Sequence, residues 1–132
     1  MRESRETILV VDDAESLRND VCRILRGEGY TVISASRGVE AHWCVERHGM
    51  RVDLLLADLA SPEADSYHLG IPLGMLHPYR PVIFTSPRNR HENIRRGLLD
   101  PRSPFLQKPF PPYLLTRLVR MVLDRWSPPQ SM

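Results

Sequence analysis

The chain has 132 residues, 42% hydrophobic and 26% charged, the balance of one globular domain with little room for a second. That length buries a core without help from disulfides or a structural metal. A net charge of +2 gives no strong reason to bind nucleic acid. No apolar run approaches the ~20 residues that span a bilayer, and the start, MRESRETILVV, lacks the apolar stretch of a signal peptide. The expectation is a cytoplasmic protein with no membrane partner and no direct nucleic-acid partner.

Thr7 to Asp12 (TILVVD) is a short β-branched run, as in a strand buried on both faces of a parallel sheet. The period then changes. Leu17, Val21, Ile24 and Leu25 fall on one face of a helix over 14–26, with Gly27 and Gly29 at its end. Tyr30 to Ala35 (YTVISA) reads as a second strand, and 37–48 as a second helix with Val39 and Trp43 on one face. Val52 to Ala57 is a third strand, apolar but for Asp53, and Pro81 to Thr85 a fourth. Residues 67–78 should hold a helix, yet they contain Gly70, Pro72, Gly74 and Pro78. An interior proline costs ~3 kcal/mol of helix and each glycine ~1, so a short or kinked helix is expected there. A polar helix near 89–99 precedes a short fifth strand at Pro104 to Gln107. The last helix, 112–126, carries Leu115, Leu118, Val119, Val122 and Trp126 as its apolar stripe. One domain over 1–126 and a flexible tail over 127–132 follow.

Cys22 and Cys44 lie within these helices without metal-ligand spacing and read as reduced, buried thiols. Seventeen of the eighteen basic residues are arginine, with a loose cluster at Arg88, Arg90, Arg95 and Arg96. A solvated helix face and a partner-docking face both remain open for that cluster. The only lysine is Lys108.

Strands alternating with helices predict an α/β fold, a five-stranded parallel sheet covered on both faces, doubly wound and flavodoxin-like, (βα)5, with order 2-1-3-4-5. Ligands of such a sheet bind at the carboxyl ends of its strands, where the order reverses. Asp12 and Asp13 end the first strand, Asp58 follows the third, Thr85 ends the fourth and Lys108 follows the fifth. Taken singly, each has a plain reading: helix-capping acids, a turn aspartate, a strand threonine, a loop lysine. Together they line one edge. Two unit charges ~5 Å apart at an effective dielectric of ~20 repel by about 3 kcal/mol, so three gathered carboxylates call for a cation. An oxygen-only donor set suits Mg2+. A carboxylate can then act as nucleophile toward a phosphoryl group, with charge neutralisation supplying most of the catalysis. Lys108 offers a compact charge to phosphoryl oxygens and Thr85 a hydroxyl donor.

The segments ETILVVDDAESLR, GYTVISASRGVEA, DLLLADLASP, PVIFTS and FLQKPF resemble the receiver domains of two-component response regulators over about residues 6–125. The resemblance implies roles. Asp58 is the phosphoacceptor, Asp13 a direct Mg2+ ligand, Asp12 a ligand largely through water, and the Ala60 carbonyl a further ligand. Thr85 is the switch hydroxyl, Phe105 the switch aromatic and Lys108 the phosphoryl-binding lysine, before a cis bond to Pro109. The implied activity is that of a signalling switch rather than an enzyme. Its donor would be a histidine kinase or phosphotransfer protein, and its output an unidentified protein partner, with a homodimer also open. The wording around ETILVVDD and FLQKPF resembles receivers at the end of hybrid histidine kinases in particular. Departures from the family pattern fall after Asp58 (Ser61 to Ser66, without the usual glycine), at Ser86-Pro87 and at Pro72. They bear on the output or dimer face rather than on the acids. The alternative is a pseudo-receiver that works as a phosphorylation-independent binding module. A flavin-binding protein would want a phosphate-cradling loop where Asp12-Asp13 stand. An aspartate-based phosphohydrolase would space its two acids two residues apart on the first strand.

Overall fold

Five short strands form the centre of the protein, and a computed structural model describes residues 6–36, 40, 43, 47, 52–59 and 81–125. The strands are β1 (Thr7–Val11), β2 (Thr31–Ala35), β3 (Leu54–Asp58), β4 (Val82–Ser86) and β5 (Phe105–Gln107). All neighbours pair in parallel in the order β2-β1-β3-β4-β5, the expected doubly wound, flavodoxin-like arrangement. Alternate side chains divide between two layers. Ile8, Val10, Leu54, Leu56 and Ile83 belong to one, Leu9, Val11, Leu55 and Ala57 to the other. Burial on both faces explains why β1 and β3 read as unbroken apolar runs rather than as alternating ones.

Helices α1 (Glu15–Gly27) and α3 (Pro112–Arg125) pack on the first layer through Val21, Cys22, Leu25, Leu115 and Val119. Leu25 and Leu115 are completely buried, each worth roughly 1.5–3 kcal/mol of transfer free energy. Leu118 and Val122 pack at the margin of the same layer. Residues Glu40, Trp43 and Arg47 are helical, as the period over 37–48 predicts. Trp43 is 55% exposed, and its ring is covered by the Arg47 guanidinium, 4.7 Å from the centroid. A neighbouring cation can shield an aromatic face as an apolar layer would.

The helix expected over 89–99 is the shorter α2 (Arg90–Arg95). Its end has the same construction as the end of α1. Gly29 and Gly97 adopt positive φ, 99° and 76°. Tyr30 N–H returns to the Leu25 carbonyl at 3.3 Å, and Leu98 N–H to the Asn93 carbonyl at 2.9 Å. These 6→1 bonds satisfy carbonyls the helix leaves open and need a residue without Cβ strain just before them. With Gly97 in this role α2 ends at Arg95, four residues short of the expected 99. The third-helix region 67–78, Cys44, Ala60, Trp126 and the tail lie outside the described residues.

Charges also organise the amino ends of the strands. The Asp53 carboxylate accepts from Thr7 N–H at 2.8 Å, tying the start of β3 to that of β1. Arg120 of α3 bridges Glu6 at 3.0 Å and Asp124 at 2.8 Å and donates to the Tyr30 hydroxyl at 3.2 Å.

Candidate functional site at the carboxyl edge

Strand register brings the polar residues together. β1 ends at Val11, so Asp12 and Asp13 emerge at the sheet's carboxyl edge, and β3 ends on Asp58 itself. Those two strands are neighbours although each residue and its partner, such as Ile8 and Leu54, are 46 apart in sequence, because strand order reverses here. Carboxylate oxygens of Asp12, Asp13 and Asp58 all lie within 4.8 Å of one another. Asp58 is 2% exposed and Asp12 6%, while Asp13 faces solvent. Asp58 pairs directly with Thr85 across β3 and β4, and Thr85 is buried as well.

Lys108 completes the group from one residue beyond β5. Its Nζ lies 2.8 Å from Asp12 Oδ2 and 3.1 Å from Asp58 Oδ1, bridging the ends of β1 and β3. Lys108 N–H donates to the Ser86 carbonyl at 2.8 Å, tying the start of this loop to the end of β4. The Lys108–Pro109 bond is cis, as the resemblance implies. Burial alone would pull the Lys108 ammonium down. The hydrogen bond to Asp12 and the charges of Asp58 and Asp12 outweigh burial and hold it above the ordinary lysine value.

The plain reading of Asp12 and Asp13 as helix caps does not match the geometry. α1 is capped at Ala14 without a side-chain bond. Asp12 Oδ1 instead accepts from Ala14 N–H at 2.9 Å, a turn that folds the chain back from β1. Arg18 reinforces the turn, donating to the Asp12 carbonyl at 2.7 Å. Carboxylates still outnumber the ammonium three to one in a largely buried setting. Such an excess favours a cation, and the donor set is oxygen alone with one member open to water. It fits a hard divalent ion that keeps part of its hydration shell, as Mg2+ does.

The loop after β4 is held by its own side chains. Ser86 Oγ accepts from Arg88 N–H at 3.0 Å. Buried Asn93 donates to the carbonyls of Arg88 at 3.1 Å and Asn89 at 3.0 Å. Sequence reasoning missed Asn93. The available signal was an asparagine inside a helical stretch, which commonly bonds to nearby backbone. The arginine cluster is largely engaged within α2. Arg95 and Arg96 both pair with Glu92, at 2.8 and 3.1 Å, and Arg90 is turned toward β5. Phe105 lies on β5 beside Thr85's partner, half-buried rather than in the core.

The sequence matches the model of the response regulator receiver domain over residues 8–120, a stretch holding Asp12, Asp13, Asp58, Thr85 and Lys108. It is 34% identical over 119 residues to the sensor kinase CckA of Brucella abortus, covering 90% of this chain and 13% of that protein. It is 28% identical over 122 residues to the transcriptional regulatory protein CreB of Escherichia coli, covering 92% of this chain and 52% of that one. The chain thus spans about half or less of these curated relatives. A CheY-like response regulator receiver domain protein from Methanospirillum hungatei superposes with a TM-score of 0.78 at 26% identity, covering 92% of this chain and 95% of that one. The sheet order, the edge that gathers the acids and the extent of these matches agree, and the chain belongs to the response regulator receiver domain family of two-component signalling.

Proposed function

We propose that this chain accepts a phosphoryl group on Asp58 from a phosphohistidine, carried by a histidine kinase or phosphotransfer protein, and thereby changes its binding to a downstream protein. The observation that carries the reading is the Lys108 ammonium spanning two buried carboxylates from different strands, with Thr85 in register beside one of them.

A carboxylate oxygen of Asp58 forms the new P–O bond as the P–N bond to the donor imidazole breaks, and the electron pair of that bond stays on the imidazole nitrogen. Asp12, Asp13 and Asp58 would hold Mg2+, with the main-chain carbonyl of Ala60 as a further ligand. The ion supplies neutralisation of the phosphoryl oxygens and of the gathered carboxylates. Lys108 turns from the carboxylates to a phosphoryl oxygen, and Thr85 donates its hydroxyl to another. Burial of Asp58 keeps bulk water away and strengthens both contacts. Thr85 and Phe105 then carry the change to β5 and α2 as a shift between two pre-existing states. The family consists of signalling switches, and the only reactions assigned here are self-phosphorylation and dephosphorylation. The domain is taken to extend over 1–126, in a cytoplasmic setting, working alone, as a dimer or as a module of a larger sensor kinase. Nothing in the described site favours the phosphorylation-independent alternative, since acids, hydroxyl and lysine are all present.

Intact-mass spectrometry after incubation with acetyl phosphate and Mg2+ tests this. One phosphoryl adduct should form, and it should vanish with EDTA and in Asp58→Asn. An adduct that persists in Asp58→Asn would move the acceptor elsewhere. No adduct with several small donors would return the pseudo-receiver reading.

A further inference from the structure

The β4–α2 loop and the first turn of α2 form one braced unit. Ser86 Oγ holds Arg88 N–H, and Asn93 holds the carbonyls of Arg88 and Asn89. Asn89 in turn caps α2 by accepting from Glu92 N–H at 2.8 Å. A unit braced in this way moves as a piece, and Thr85 is its immediate predecessor in the chain. Arg90 is the first residue of α2 and leaves this unit for β5. Its Nη1 donates to the carbonyls of Pro101 at 3.1 Å and Ser103 at 3.0 Å. Its guanidinium also lies over the Phe105 ring, 5.6 Å from the centroid. A second tie runs beside it, from Gln107 Nε2 to the Pro87 carbonyl at 3.3 Å.

Cation–π attraction fades beyond about 6 Å. At 5.6 Å the Arg90–Phe105 contact has almost no slack. A turn of the ring away from Arg90, or a shift of the braced unit that carries Arg90 off the ring, takes it out of range. The two carbonyl bonds are charge-assisted and both leave the one nitrogen Nη1, so they resist the same displacement. We propose that Arg90 is a latch: it holds Phe105 and α2 in the resting arrangement, and phosphorylation must break this hold. Arg90 touches no reacting atom; it is a positioning residue acting through Phe105. The proposal rests on the receiver reading and names a regulator of that site. Its consequence follows from linkage. A group that favours the resting state opposes phosphoryl binding, so deleting it must tighten that binding by the same factor by which it shifts the resting equilibrium.

The test uses Mg2+ with beryllium fluoride, a phosphoryl mimic, and protein carrying fluorinated phenylalanine. The chain has three phenylalanines, giving three resonances, with that of Phe105 assigned through Phe105→Leu. In Arg90→Ala the Phe105 resonance should move partway toward its ligand-bound position without any ligand, and the mimic should bind about fivefold or more tightly. Arg90→Lys, which keeps a charge but loses the planar guanidinium over Phe105, should fall between. General damage to the fold would weaken binding, so a gain separates a latch from a merely structural arginine. If wild type binds the mimic and both variants bind equally or more weakly, the latch is overturned while the receiver reading stands. If wild type does not bind the mimic at all, the receiver reading falls and the latch falls with it.

Discussion

The two ends of the strands each carry a cluster of charges, and they differ in what surrounds them. At the amino ends, Arg120 serves Glu6 and Asp124 while 42% exposed, and Asp124 is 63% exposed. Water screens whatever imbalance remains, and the cluster ties β1 to α3 and Tyr30 without need of anything further. At the carboxyl ends, Lys108 serves Asp12 and Asp58 with side-chain exposures of 14%, 7% and 2%. Here the imbalance is buried, and Asp13 adds to it. A stable fold gains nothing from crowding acids in a dry place. The amino-end cluster is a structural tie, whereas the carboxyl-end cluster crowds carboxylates whose repulsion a bound cation would relieve.

The largest expected effect tests how far Lys108 is holding that edge together. In EDTA, Lys108→Ala leaves two buried carboxylates without their cation and should cost about 3–5 kcal/mol in denaturant unfolding. Because the Lys108 pKa is raised in the folded state, its contribution is fully present below the ordinary value of 10.5 and is lost only as pH climbs through the folded value. The gap to wild type should therefore stay constant from about pH 7 to 9. A gap that shrinks across that window would contradict the pairing.

Next in size is the response to metal. Mg2+ at a hundred times its dissociation constant should stabilise wild type by about 2.7 kcal/mol, read as a rise in thermal midpoint. Asp13→Asn should lose most of that rise. The amino end should behave in the opposite sense. Arg120→Ala should cost about 1 kcal/mol or less, as exposed pairs do, and leave the Mg2+ response untouched. The smallest effect is the sharpest in sign. In EDTA, Asp13→Asn should make the protein more stable, by roughly 0.5 kcal/mol, because it relieves repulsion. Destabilisation by that substitution would place Asp13 among the structural ties.

Most of this architecture was legible in the sequence because β1 and β3 are short apolar runs, as strands of a parallel sheet buried on both faces are. The edge was legible for the same reason: once β1, β3, β4 and β5 are placed, Asp12, Asp58, Thr85 and Lys108 must fall at their carboxyl ends. Pairing was not legible. Nothing local says that Lys108 reaches Asp12, 96 residues away, or that Arg90 turns from its helix to β5. Those are consequences of strand order and side-chain length. The end of α2 was not legible either, because a polar stretch gives no apolar stripe to mark where it stops at Arg95. Ala60 and the segment around Pro72 fall outside the described residues.

The most direct test of the contrast between the two edges is a Mg2+ titration of 15N-labelled protein followed by amide resonances. Saturable shifts should appear at Asp12, Asp13, Leu59 and Lys108 and be absent from Thr7, Asp53 and Arg120. Shifts that fail to saturate, or that appear equally at both ends of the strands, would contradict a specific cation site at the carboxyl edge.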